Sequence, residues 1–235
     1  MTVSGTKKKA GLAERLSQNS VFLSGAALVL SLIVAGIVML IAGYSPIEGY
    51  SAMFTGAFGN VSNLAQTLGT ATPLIFAGLA MAFAARGGMF NIGIEGQIIA
   101  GAFPAALVGA YVQGLPWFLH IPLCFLAGMI GGGVWAAIAG FLKNKLRVSE
   151  VILTIMLNYV ATLFMGVIYT SWIRDASVPQ TPAIDDAVHL PRIISGMRMT
   201  WGLVIAVVVG LLLYYFLFWT SPGFKLRAVG LNQTA

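Results

Sequence analysis

Asn91 and Glu95 are the residues of this chain best placed to do chemistry, because both interrupt an apolar stretch, RGGMFNIGIEGQIIAGAF, at residues 86–103. Their spacing would set them one turn apart on one face of a helix, where they can act together. A carboxylate at membrane depth costs about 2.5–3.5 kcal/mol on insertion scales, so it normally faces a bundle interior or a water-filled path. Asn158 is a third polar exception, inside the apolar run 150–172. It suits either hydrogen bonding to a neighbouring helix or contact with something moving along the same path. The plainer alternative leaves Asn91 and Glu95 at the membrane surface beside Arg86.

Other chemistries find no residues. The chain has no G-x-x-x-x-G-K-[ST] loop to cradle a nucleotide, no H-E-x-x-H and no G-x-S-x-G. His120 stands alone beside Ile121 and Pro122, and Asp185, Asp186 and His189 are too loosely grouped to predict a metal site. A single cysteine, Cys124, excludes a disulfide within the chain and suggests a buried thiol. No cofactor and no catalytic residue are expected. If the chain moves something uphill, the energy must come from elsewhere.

The elements that must position these side chains are membrane spans. Charged residues make up 9% of the 235 and apolar ones 58%, with a mean hydropathy of +0.90. A soluble domain carries about 25% charged residues. The expected fold is therefore all-α, a polytopic membrane bundle of about six helices. Its spans are residues 21–43, 64–85, from 91–95 to 111, 119–142, 150–172 and 200–219. A basic segment, 1–20, precedes the transmembrane domain at 21–219, and 220–235 follows it. The mixed stretch 44–63 has room for a short amphipathic helix at the outer surface.

Within the spans, Pro73 and Pro104 predict bends, with Thr70 and Thr72 near Pro73 to satisfy freed backbone groups. Gly128, Gly132, Ala136 and Gly140 give the fourth span a small-residue face for close packing. Lys143, Lys145 and Arg147 form a basic turn, Ser149 is placed to cap the fifth span, and Ser221, Pro222 and Gly223 stop the sixth.

The net charge of +6 reflects topology rather than nucleic-acid binding. With six spans, Lys7, Lys8, Lys9, Arg15, Arg86, Lys143, Lys145, Arg147, Lys225 and Arg227 fall on one side. Only Arg174, Arg192 and Arg198 fall on the other. The positive-inside rule then makes both termini cytoplasmic and the 174–198 loop external.

Three stretches carry a resemblance: RGGMFNIGIEGQIIAGA (86–102), SEVILTIMLNY (149–159) and GFKLRAVGLNQTA (223–235). In this order they resemble permease subunits of bacterial ABC importers. Within that group they look most like the branch serving nucleosides and simple sugars, related to ribose and branched-chain amino-acid permeases. The resemblance implies a multi-pass protein of the bacterial inner (plasma) membrane, surrounded by lipid. It would pair with a second permease subunit, two ATP-binding cassette ATPase subunits and an extracytoplasmic substrate-binding protein. It further implies that the segment after the sixth span, with Lys225, Arg227, Gly230 and Asn232, couples to the ATPase. Family members continue through more helices, so the chain is expected to be shortened relative to them. The alternatives are an ion- or proton-coupled secondary transporter using Glu95 as its coupling group, and a membrane scaffold.

Overall fold

A computed structural model of the chain describes residues 20–146, 148–173 and 182–232. The basic segment 1–19, Arg147, the loop stretch 174–181 and residues 233–235 lie outside the described residues, and with them the expectations placed there. The described residues form eight α-helices and no extended strand. These are α1 (Ser20–Ile41), α2 (Pro46–Phe58), α3 (Val61–Arg86), α4 (Ile94–Tyr111), α5 (Trp117–Leu146), α6 (Glu150–Ile168), α7 (Gly202–Trp219) and α8 (Ser221–Leu231). Six of them, all but α2 and α8, are long and apolar enough to cross a bilayer. The helical reading follows from the solvent: lipid offers no hydrogen bonds, so each span must satisfy its own backbone.

The chain divides into two compact units, residues 1–64 and 65–235. In the first, α2 is the short helix anticipated between residues 44 and 63. Ser45 caps it through its hydroxyl, which accepts from Glu48 N, and Pro46 opens it. The Tyr50 hydroxyl donates to the Leu32 carbonyl of α1, and Asn63 Nδ2 donates to Thr55 O at 2.8 Å.

In the second unit, burial is inverted relative to a soluble core. Among the described residues the buried apolar ones are mostly alanines, including Ala65, Ala100, Ala110, Ala139, Ala161 and Ala206, while large side chains such as Leu163, Met129 and Leu211 point outward. Lipid is as apolar as leucine, so helices gain by close backbone approach rather than by hiding bulk. The tightest partners are α4 and α5. A Cβ added at Gly101 would stand 2.8 Å from Gly128 O, and one at Gly132 would stand 3.2 Å from Gln97 O. Gly131, just off the predicted four-residue stripe, is equally close to α4, whereas a Cβ at Gly140 would meet nothing. The small-residue face is thus real but ends sooner, because it follows the contact with α4.

Several local expectations are corrected. Thr70 and Thr72 do not take the carbonyl freed by Pro73. Their hydroxyls bond back one turn to Gln66 O and Leu68 O, at 2.9 and 3.0 Å, as threonines in apolar helices do. Lys143 and Lys145 belong to the last turn of α5 rather than to a separate turn, a position that suits the negative helix end. Ser149 occupies the N-cap of α6, but its side chain makes no capping bond. Residues 221–223 do more than stop the sixth span. Thr220 accepts from Gly223 N at 3.2 Å and Pro222 sits in the first turn, so the stop of α7 is also the start of α8.

The connection before α7 is folded where described. Asp185 N donates to Gly109 O at 2.9 Å, and Asp185 caps a short 3-10 turn by accepting from Ala187 N at 3.0 Å. A tight turn at Gly196 brings Ile193 N to Met199 O at 2.9 Å. His120 is wholly buried, with Nε2 3.1 Å from Val108 O, and Cys124 is buried beside Gly109.

Candidate functional site

The site is built on a break in helical geometry between α3 and α4. α3 ends at Arg86, Gly88 adopts a positive φ of 75° that side chains disfavour, and α4 begins only at Ile94. Residues 87–93 are therefore a connector, and its backbone groups, freed from helical pairing, need other partners. The pairing of Asn91 and Glu95 on one helical face is corrected here. Asn91 precedes the helix, is 7% exposed, and turns its Oδ1 back to accept from Gly93 N at 2.9 Å. Asparagine favours such local turns over helix continuation. Glu95 lies in the first turn of α4, exposed, where a carboxylate complements the positive helix end.

The connector is held by α6. Glu150 Oε1 accepts from Phe90 N at 2.9 Å, and Thr154 Oγ1 accepts from Ile92 N at 3.3 Å. Asn158 Oδ1 accepts from Gly96 N at 2.8 Å while its Nδ2 donates to Ile92 O at 3.1 Å. Three side chains four residues apart on one helix thus take backbone groups of the connector and of the first turn of α4. The other Glu150 oxygen pairs with Lys143 of α5. The contact is close enough to require glycine: a Cβ at Gly96 would meet Asn158 Oδ1 at 2.9 Å and Trp135 Nε1 at 3.1 Å.

Asn158 stands out in the sequence, but Glu150 and Thr154 do not. The signal was present as polar residues at positions 150, 154 and 158 on an apolar helix. A span's first residue reads as interfacial and a threonine as neutral, so neither marks the shared face by itself.

The second group gathers at α8. Lys225 is exposed, and Asn232 lies at the end of the helix with its N–H bonded to Ala228 O at 3.2 Å. Arg227 turns inward, its guanidinium 4.8 Å from the centre of the Phe218 ring on α7. Arg86 approaches the same ring at 5.5 Å, so it is turned toward α7. Gly230 sits directly on the Arg86 carbonyl oxygen, and a Cβ there would also stand 2.9 Å from Gly88 N. Leu226 packs over Gly87, 3.5 Å from its Cβ position. The structure thus joins the two groups of predicted residues, through the connector.

The chain matches the family described as the permease component of the branched-chain amino acid transport system over residues 63–235. It is 37% identical over 214 residues to the guanosine ABC transporter permease protein NupP of Bacillus subtilis, covering 89% of this chain and 61% of that protein. It is 33% identical over 219 residues to the nucleoside ABC transporter permease protein NupB of Lactococcus lactis, with coverage of 89% and 60%. To the glucose ABC transporter permease protein TsgB13 of Haloferax volcanii it is 31% identical over 218 residues, with coverage of 87% and 57%. The chain therefore spans 57% to 61% of the length of these relatives. No solved structure matches it at a significant level. With spanning helices of this number and a family match over most of its length, the chain is a multi-pass membrane protein and belongs to the branched-chain amino acid transport system permease family.

Proposed function

We propose that this chain is a permease subunit of an ATP-driven importer for nucleosides or related simple sugars. The observation that carries the reading is the family match over residues 63–235, on a chain with six helices of spanning length. The relatives named for guanosine, nucleoside and glucose transport support the substrate class. Hydrolysis belongs to ATP-binding cassette partners, substrate arrives from an extracytoplasmic binding protein, and a second permease subunit completes the pathway. Both termini and α8 face the cytoplasm of a bacterial plasma membrane, by the distribution of basic residues. Asn91, Glu95 and Asn158 border the route, and Lys225, Arg227, Gly230 and Asn232 belong to the segment that couples to the ATPase, with Lys225 exposed and Arg227 and Gly230 on its inward side.

The test is uptake competition with a panel of nucleosides and sugars, using the complete subunit with its partners in vesicles. ATP-dependent uptake competed by one of these classes is the expected result. Uptake that needs a proton gradient and no ATP would replace this reading with a secondary transporter. Glu95 has its own test. If it serves by polar contact, Glu95→Gln retains uptake and Glu95→Ala loses it; if its charge is needed, both lose it. Normal uptake by Glu95→Ala at normal expression removes it from the route.

A further inference from the structure

We propose that the 87–93 connector, bound together with the first turn of α4, is a relay through which displacement of α8 moves the start of α4, with Gly230 as the input contact and Glu150, Thr154 and Asn158 as positioning residues. The inference rests on the permease reading above and extends it from sites to the linkage between them.

The input contact is backbone against backbone. Gly230 of α8 lies on the Arg86 carbonyl and beside Gly88 N, with no side chain between them to absorb a shift. Leu226 fills the space above Gly87, and the Arg227 guanidinium rests on Phe218 beside Arg86. α8 therefore touches the end of α3 and the first residues of the connector at several points. Packed backbone is nearly incompressible, so motion at such a contact passes on rather than dissipating.

The output depends on the connector moving as one body. A free loop of residues 87–93 would flex and lose the displacement. Here Phe90 N, Ile92 N, Ile92 O and Gly96 N are each tied to α6. Asn91 closes the remaining turn onto Gly93. The first turn of α4, carrying Glu95, is thereby bound into the same assembly as the surface under Gly230. Glu150 extends it to α5 through Lys143.

The test reads substrate taken up per ATP hydrolysed, with the complete permease, its ATPase and its binding protein reconstituted in vesicles. Gly230→Ala places a methyl on the Arg86 carbonyl, and Thr154→Val keeps shape while removing the acceptor for Ile92 N. Both are expected to lower the uptake-to-hydrolysis ratio about fivefold or more, the range of ordinary site-to-site coupling, while hydrolysis continues. Thr154→Ser keeps the hydroxyl and should keep the ratio. Gly133→Ala, where a Cβ meets nothing, is the matched glycine control. If Gly230→Ala fails to assemble, the Thr154 pair decides the matter alone. A wild-type ratio in the assembled Thr154→Val variant, or a parallel fall in uptake and hydrolysis, overturns the relay. A wild-type complex that transports no substrate with ATP overturns the permease reading itself, and the relay with it.

Discussion

Asn158 uses both ends of its amide on one short stretch of backbone, accepting from Gly96 N and donating to Ile92 O. Removing it leaves the N–H of the buried Gly96 without its acceptor, and an unsatisfied buried group costs about 1–3 kcal/mol. Asn158→Ala is accordingly expected to destabilise the purified subunit by that order, read as a lower thermal unfolding midpoint in detergent. Tyr159→Ala, its exposed neighbour on the outward face, should shift the midpoint far less. An equal shift for the two would mean that the amide's bonds contribute nothing beyond ordinary helix surface. Glu95 stands in contrast, since its exposed carboxylate complements a helix start and is free to face a substrate or a partner chain.

Among the elements, α4 and α5 depend on close approach more than any other pair. Gly101 and Gly131 lie where added atoms would meet the opposing backbone. Overpacking a fitted interface costs about 1–3 kcal/mol. Gly101→Val should reduce the yield of detergent-stable protein in size-exclusion chromatography, whereas Gly133→Val, on open surface, should not. Equal yields would show that the helices separate without penalty. At the other end of the unit, the turn at Thr220 and Gly223 converts the stop of α7 into the start of α8 within a single residue. That abruptness holds α8 near the end of α3.

For the whole molecule, the distribution of basic residues supports an orientation. Under the positive-inside rule, α8 and the N-terminal segment are expected to face the cytoplasm and the loop containing Ser195 the outside. Single cysteines test this with an impermeant thiol reagent on intact cells: Ser195→Cys should label and Ser4→Cys should not. Labelling of the Ser4 position from outside would reverse the orientation, and α8 could not then meet a cytoplasmic ATPase. The family match and the apolar helices hold under either orientation.

The amino-acid sequence alone determined the class of this protein, its spanning helices and the residues that resist burial. Long apolar runs have only one economical structure in lipid, so the spans were legible to within a few residues. The glycine-rich stretch 86–103 was legible as the centre for the same reason, since polar groups there are costly unless employed. What only the tertiary structure decided is which polar groups meet. Four-residue spacing suggested that Asn91 and Glu95 share a helix face, but Asn91 bonds to Gly93 and the helix starts after it. Glu150 and Thr154 looked unremarkable until the connector's N–H groups came to rest against them. The contact of Gly230 with Arg86 and Gly88 joins residues far apart in the chain. Periodicity describes one helix at a time, whereas backbone groups freed by a break are satisfied by whichever neighbour packs against it, and that neighbour is chosen by the fold as a whole.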